Sequence, residues 1–126
     1  MTWRELAECQ RVMAVHLFGT RDPRFARGVC GRAYYAAYAL VTARLPASMT
    51  FGRGWRNPEH AKLPAHVGQI AGLSEADRRI VKRALRRLRL RREDADYRPG
   101  ITVDGLAARD SLDDLARVLK ILDRSK

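Results

Sequence analysis

The stretch that decides the fold covers residues 74–97, SEADRRIVKRALRRLRLRREDADY. Its apolar residues recur at steps of three and four, which is the spacing of one face of an α-helix. Ser74 followed by Asp77 is a capping-box pattern, and it predicts that the helix begins there. The spacing therefore predicts a long helix with one buried stripe. The stripe consists of Ala76, Ile80, Val81, Ala84, Leu85 and Leu88.

The other face of the predicted helix is almost entirely cationic. The whole chain carries 25 basic and 14 acidic residues, a net charge of +11. Such a balance favours a nucleic acid, an acidic partner or an anionic surface, and it says nothing about the fold. The basic residues of the helix are Arg78, Arg79, Lys82, Arg83, Arg86, Arg87, Arg89, Arg91 and Arg92.

Length and composition limit the class of protein. At 126 residues we expect a single domain that covers residues 1–126. Two cysteines are too few for a disulfide scaffold or a zinc site. His60 and His66 are six residues apart, whereas two histidines that bind a metal on one helix are four apart. No metal or cofactor is therefore expected. The longest uncharged helix-like stretch, residues 33–43, is far short of the roughly 20 residues of a membrane span, and no signal-peptide pattern occurs. We expect a cytoplasmic protein without a membrane partner.

Helical patterns also occupy the two ends of the chain. Thr2 and Glu5 form a capping box that begins a first helix. A third helix is predicted over residues 59–71, and the short connections between elements favour antiparallel neighbours. The predicted fold is therefore all-α, a four- to five-helix up-down bundle. The predicted stripes are Leu6, Cys9, Met13 and Leu17 in the first helix, and Leu106, Ala108, Leu112, Leu115, Leu119 and Leu122 in the last.

The second helix is clearest over residues 31–45, GRAYYAAYALVTARL. Gly28 and Gly31 each cost about 1 kcal/mol relative to Ala inside a helix. Either the helix begins near Gly31, or a close backbone contact offsets that cost. The tyrosines of this helix suit packing in a core or interface, and a single tyrosine also suits stacking on a base. They are Tyr34, Tyr35 and Tyr38.

Residues 46–58 are rich in Pro, Gly and Ser and predict a loop. The loop is interpreted as a lid over one end of the bundle, or as a segment that contacts a ligand. Its apolar residues are Met49, Phe51 and Trp55, and its basic residues are Arg53 and Arg56.

Two short motifs, RAYYAAY at 32–38 and REDADY at 92–97, stand in the order and at the interval found in one known family. They resemble the Arg-x-Tyr-Tyr-Ala-Ala-aromatic second helix and the Arg-x-x-Ala-Asp-Tyr motif of the HEPN superfamily, small α-helical proteins of prokaryotes. His60 lies where many members carry a His near the start of the third helix. The helix order agrees with the family over nearly the whole chain.

The resemblance implies a bundle that dimerises, with Arg92 of each subunit facing a cleft at the interface. Many members are metal-independent endoribonucleases that act as toxins, phage-defence effectors or RNA-processing factors, and some pair with a nucleotidyltransferase antitoxin. It thus implies RNA as the target. Catalytic roles fall to Arg92, Asp96 and Tyr97, RNA contacts to Arg79, Lys82, Arg83, Arg86, Arg87 and Arg91, and structural or interface roles to Arg32, Tyr34, Tyr35 and Tyr38.

The chain departs from the family motif at two positions. Tyr97 stands where the motif has His, and Ala39 stands where some subfamilies carry a second His. Metal-free RNA cleavage needs a base, an acid and a cation, roles that suit His and Arg. Tyr97, with an ordinary pKa of about 10, is a poor base at pH 7. We therefore expect slow cleavage at most, with His60 or His66 as the replacement base.

Three functions stay open on the sequence. The first is a HEPN-type RNA-targeting protein, either a nuclease or a degenerate nuclease. The second is a non-catalytic homodimer that binds RNA or nucleotide, or docks on a nucleotidyltransferase-like partner. The third is a DNA-binding helix-turn-helix built around residues 70–74, although the cations surround the whole exposed face and a recognition helix usually mixes Arg with polar residues.

Overall fold

The structure is a computed structural model that describes residues 1–49, 51 and 57–125. The described residues form five α-helices and include no β-strand, which confirms the predicted all-α fold. No helix among them is both long and apolar enough to cross a bilayer. The helices are α1 (Trp3–Gly19), α2 (Ala26–Arg44), α3 (Leu63–His66), α4 (Glu75–Tyr97) and α5 (Gly105–Arg124).

Contacts between the ends of neighbouring helices show whether the helices run parallel or antiparallel. Arg27, near the start of α2, donates to the carbonyl of Asp94 near the end of α4, so these two helices are antiparallel. Arg44, at the end of α2, donates to the carbonyl of Leu122 near the end of α5, so this pair is parallel. Helices α4 and α5, joined by residues 98–104, are consequently antiparallel to each other.

Helix α2 is the centre of the core, with thirteen of its nineteen residues buried, and it packs against α1, α4 and α5. It begins at Ala26, before both glycines, so the alternative that it starts near Gly31 is wrong. A Cβ on Gly28 would lie 3.3 Å from Cδ1 of Leu17, and one on Gly31 would lie 3.6 Å from Oδ1 of Asp96. Gly28 therefore lets α1 approach α2 closely, whereas a side chain at Gly31 would make an ordinary contact with the end of α4.

The predicted stripe of α1 is wrong at two positions. Cys9 and Met13 are exposed, whereas Ala7 and Ala14 are buried. The reason is that α1 packs on the alanine-rich α2, where small side chains allow the two backbones to approach. The pattern of large apolar residues predicted a face rotated by about one residue, roughly 100°.

The stripes of α4 and α5 are confirmed in their centres and wrong at their N-terminal ends. Ala76 and Ile80 of α4 are exposed, and so is Leu106 of α5. Ser111 and Asp114 are buried on α5 instead, each with a polar partner. The N-cap of α4 is confirmed, since the Ser74 side chain accepts from the backbone N–H of Asp77.

The third helix is much shorter than predicted. Only Leu63–His66 is α-helical, and 3-10 turns at His60–Lys62 and Val67–Gln69 flank it. Pro64 lacks a backbone N–H and suits only the first turn of a helix, so it prevents α3 from beginning as early as residue 59.

Within the predicted loop, Met49 and Phe51 are partly buried against the main core. This fits the interpretation of the loop as a cover over part of the bundle. The predictions for Arg53, Trp55 and Arg56 lie outside the described residues.

Candidate functional site

Arg92 lies near the end of α4 and is the centre of a polar cluster. Its side chain is only 11 % exposed, and its Nε atom lies 3.0 Å from Oδ2 of Asp96, an ion-pair contact without hydrogen-bond alignment. Its Nη2 atom donates to the hydroxyl of Tyr35 at 2.6 Å and to that of Tyr97 at 3.0 Å. The structure thus brings together the three residues predicted to be catalytic, and it adds Tyr35 from α2.

Aromatic rings surround the same guanidinium. The Cζ atom of Arg92 lies 5.9, 5.2 and 5.0 Å from the ring centroids of Tyr34, Tyr35 and Tyr97. A cation within about 6 Å of an aromatic face is attracted by the ring quadrupole. The two sequence motifs, one on α2 and one on α4, therefore form a single site.

His60 reaches this site from the turn that precedes α3. Its Nδ1 atom lies 2.7 Å from the Tyr34 hydroxyl, and its ring centroid lies 4.8 Å from that of Tyr38 and 6.0 Å from that of Tyr35. Burial lowers the pKa of His60, and the positive charges of Arg92 and Arg89 lower it further. The imidazole is consequently neutral at pH 7. A hydroxyl can donate or accept, so Tyr34 is compatible with either tautomer.

Two buried tyrosines hold His60 in place. Burial raises the pKa of Tyr38 to about 12 and raises the pKa of Tyr34 even further. Both hydroxyls therefore stay protonated at pH 7 and cannot act as bases. The Tyr38 hydroxyl donates to the carbonyl of Pro58 at 2.7 Å, which fixes the segment that carries His60.

A cleft of about 450 Å³ opens beside Tyr34 and His60. Its polar residues are Arg86, Arg89 and Glu93 of α4, and the rest of its wall is mainly aliphatic. His66, the other candidate base, does not line this cleft, and its ring lies 5.2 Å from the ring of Phe51. Of the two predicted replacement bases, only His60 lies in the site.

The six basic residues of α4 that were predicted to contact RNA divide into two groups. Arg87 and Arg91 form ion pairs with the buried Asp114 of α5, at 2.7 and 2.5 Å, and Arg117 approaches the same carboxylate at 2.9 Å. The remaining predicted RNA contacts have no hydrogen-bond or ion-pair partner among residues 1–49, 51 and 57–125. These are Arg79, Lys82, Arg83 and Arg86, which we call the unpaired cation face.

The positions of the unpaired cation face, at steps of three and four, place its members on one side of α4. At 1.5 Å of rise per residue, the face extends about 10 Å along the helix. Arg86 also lines the cleft beside His60. The face therefore leads along α4 into the cleft.

The other predicted interface residue, Arg32, is exposed and donates to Oε1 of Gln10 at 3.2 Å. Sequence reasoning missed Asp114 and Arg27. Asp114 lies within the apolar pattern of α5, one position before Leu115, and an acid at a core position would have been the available signal. Arg27 carries no such signal, because its partners are backbone carbonyls about 70 residues away.

Fold and site together define an all-α helical bundle whose long basic helix ends in a cluster of arginine, tyrosine and histidine. Comparisons of the chain with protein-family models, with curated proteins and with solved structures find no match. No group of three or more His, Cys, Asp or Glu side chains that could hold a metal ion occurs in the described part of the chain.

Proposed function

We propose that this protein is a HEPN-type RNA-targeting protein that cleaves RNA slowly and without a metal ion. The observation that carries the proposal is the convergence of Arg92 and His60 on Tyr34 and Tyr35, next to the unpaired cation face. In this combination His60 is the base, Arg92 is the cation, and the unpaired cation face attracts the RNA backbone. The resemblance of the two motifs to the HEPN superfamily supports the same function.

The proposed reaction uses the 2′-hydroxyl of RNA as the nucleophile. When Nδ1–H of His60 donates to the Tyr34 oxygen, the Nε2 lone pair is available to take the 2′-hydroxyl proton. Arg92 stabilises the negative charge that develops on the phosphate, and the exposed Tyr97 hydroxyl donates to the leaving oxygen. The lowered pKa of His60 makes it a weak base, so this chemistry is slow.

The proposed setting is a toxin–antitoxin or phage-defence system in the cytoplasm. The protein would act as a homodimer with the Arg92 clusters facing a shared cleft, and a nucleotidyltransferase-like protein would serve as its antitoxin. The resemblance of residues 32–38 and 92–97 to the HEPN motifs supports this setting.

A second candidate function is a non-catalytic dimer that binds RNA or nucleotide, or docks on a nucleotidyltransferase-like partner. The contacts of the Arg92 guanidinium favour this second function. Nε and Nη2 already contact Asp96, Tyr35 and Tyr97, so they are less available to a phosphate group. Nη1 is the nitrogen of this guanidinium that lacks a partner in the described part of the chain.

One assay separates the two functions. Purified protein is incubated with total RNA in EDTA, beside Arg92→Gln and His60→Gln. The controls are Arg24→Gln and His16→Gln, which change exposed residues that do not line the cleft. Cleavage that both site variants abolish and both controls retain supports the nuclease. Salt-sensitive RNA binding without cleavage supports the second function, and preference for one duplex DNA sequence would contradict both. Circular dichroism of each variant establishes that it is folded.

A further inference from the structure

The cleft beside His60 has the size and surface of a small-molecule site. Its volume of about 450 Å³ lies within the roughly 300–1,000 Å³ of ligand pockets, which combine apolar walls with a few polar groups. Pro64 and Leu90 contribute to the apolar wall, and Leu90 is 59 % exposed although it lies on the most cationic helix of the chain. An apolar slot in a basic surface suits a flat aromatic group that belongs to a polyanion.

The polar part of the cleft is an ion pair with free hydrogen-bonding capacity. Nε of Arg89 lies 2.9 Å from Oε1 of Glu93, one helical turn further along α4. The guanidinium nitrogens of Arg89 and both carboxylate oxygens of Glu93 have no hydrogen-bond partner within the described ranges. The cleft therefore presents several donors beside two acceptors.

This pattern of donors and acceptors matches guanine better than the other bases. Guanine offers two adjacent donors, N1–H and N2–H, to the carboxylate of Glu93, and its O6 atom accepts from Arg89. Adenine, cytosine and uracil each have a single donor group on the corresponding edge. A bidentate contact of this kind discriminates between bases by about fivefold or more.

We infer that the cleft is a guanine-binding subsite for single-stranded RNA. The inference rests on the proposed RNA-targeting function and adds base preference to it. Arg86 binds the adjoining phosphate, and the rest of the strand follows Arg83, Lys82 and Arg79 along α4. Because His60 lines the same cleft, cleavage occurs next to guanosine.

The test uses the intact protein and labelled octamers of uridine that contain one central guanosine, adenosine or cytidine. Binding is measured by fluorescence anisotropy in EDTA, and we expect the guanosine octamer to bind at least about fivefold more tightly than the others. Glu93→Gln should remove this preference, because an amide cannot accept from both N1–H and N2–H of guanine. Leu90→Ser should weaken binding of the guanosine octamer alone. The control is Glu75→Gln on the same helix, whose carboxylate is exposed and lies outside the cleft.

The outcomes separate this inference from the proposed function. Equal binding of all octamers would overturn the guanine subsite and leave RNA targeting intact, whereas no binding of any octamer would overturn both. A homodimer that Leu90→Ser dissociates, measured by analytical ultracentrifugation, would show that a second copy of the chain covers the cleft and would also overturn the subsite. Cleavage after guanosine that persists in Glu93→Gln would count against the assigned contact.

Discussion

The Nη2 atom of Arg92 lies 2.6 Å from the hydroxyl oxygen of Tyr35 and joins the end of α4 to the middle of α2. The two residues are 57 positions apart in the sequence, and each belongs to one of the two motifs. Because Arg92 is charged and mostly buried, hydrogen bonds to it are worth more than bonds between neutral groups, about 1.5–3 kcal/mol each. The geometry of the site and the stability of the bundle are therefore coupled through this contact.

Replacing Tyr35 with Phe should lower the free energy of unfolding by about 1.5 kcal/mol, because it removes one acceptor of the Arg92 guanidinium. Tyr97→Phe removes the other hydroxyl, but Tyr97 is 65 % exposed and water can replace it, so we expect a loss below about 0.5 kcal/mol. Urea denaturation measures both changes. Equal losses in the two variants would show that the contact between α2 and α4 has no special weight.

His60 should titrate below the ordinary histidine pKa of about 6.5, since burial and the charges of Arg92 and Arg89 disfavour the imidazolium. Arg92→Gln should raise this pKa because it removes a nearby cation, and Arg24→Gln, which changes an exposed arginine paired with Asp22, should leave it unchanged. Histidine NMR titration measures both values. If His60 is the base, the cleavage rate falls as the pH drops through the same pKa, and a rate that is flat through that value would contradict its role.

The long basic helix could be predicted closely because every signal for it is local. The apolar spacing and the cap at Ser74 predicted residues 74–97, and the structure has α4 at Glu75–Tyr97 with Ser74 as its N-cap. Helix α1 shows the limit of this approach. The capping box of α1 is confirmed. The face of α1 that is buried, however, depends on packing against the alanines of α2, and the residues of α1 alone do not indicate this packing.

Most of the site could not be predicted from spacing. Arg92 and Asp96 are four residues apart, which is the spacing of an ion pair across one helical turn, and the structure has that pair. The contacts of Arg92 with Tyr35, and of His60 with Tyr34, depend on how α2 packs on α4 and on the turn before α3. The resemblance to the HEPN superfamily indicated that these residues matter, but their contacts with one another become visible only in the folded structure.

Arg27 closes the C-terminal end of α4, where helix carbonyls have no partner in the helix. Its guanidinium donates to the carbonyls of Asp94 and Ala95 at 2.9 and 3.0 Å, and also to those of Arg98, Pro99 and Ile101. Arg27→Ala should therefore lower the free energy of unfolding by about 2 kcal/mol. It should also speed amide hydrogen exchange in the last turn of α4 and in residues 98–101.

The matched control for Arg27 is Arg24→Ala. Arg24 is a surface arginine whose ion pair with Asp22 lies just outside α2. Its loss should change stability by less than about 0.5 kcal/mol. Hydrogen exchange measured by mass spectrometry distinguishes the two variants, and uniform acceleration along the chain in Arg27→Ala would show that its effect is global rather than at the end of α4.

Asp114 is 1 % exposed and accepts hydrogen bonds from Arg87, Arg91 and Arg117. Asp114→Ala should lower the free energy of unfolding by about 3 kcal/mol, because it leaves three neighbouring guanidinium groups without their shared counter-ion. Added salt should recover part of this loss by screening their repulsion. The control is Asp113→Ala, an exposed carboxylate on the same helix, which should change stability by less than about 0.5 kcal/mol. Urea denaturation at low and high salt tests both variants, and a loss in Asp114→Ala that salt does not reduce would show that repulsion among the arginines is not its cause.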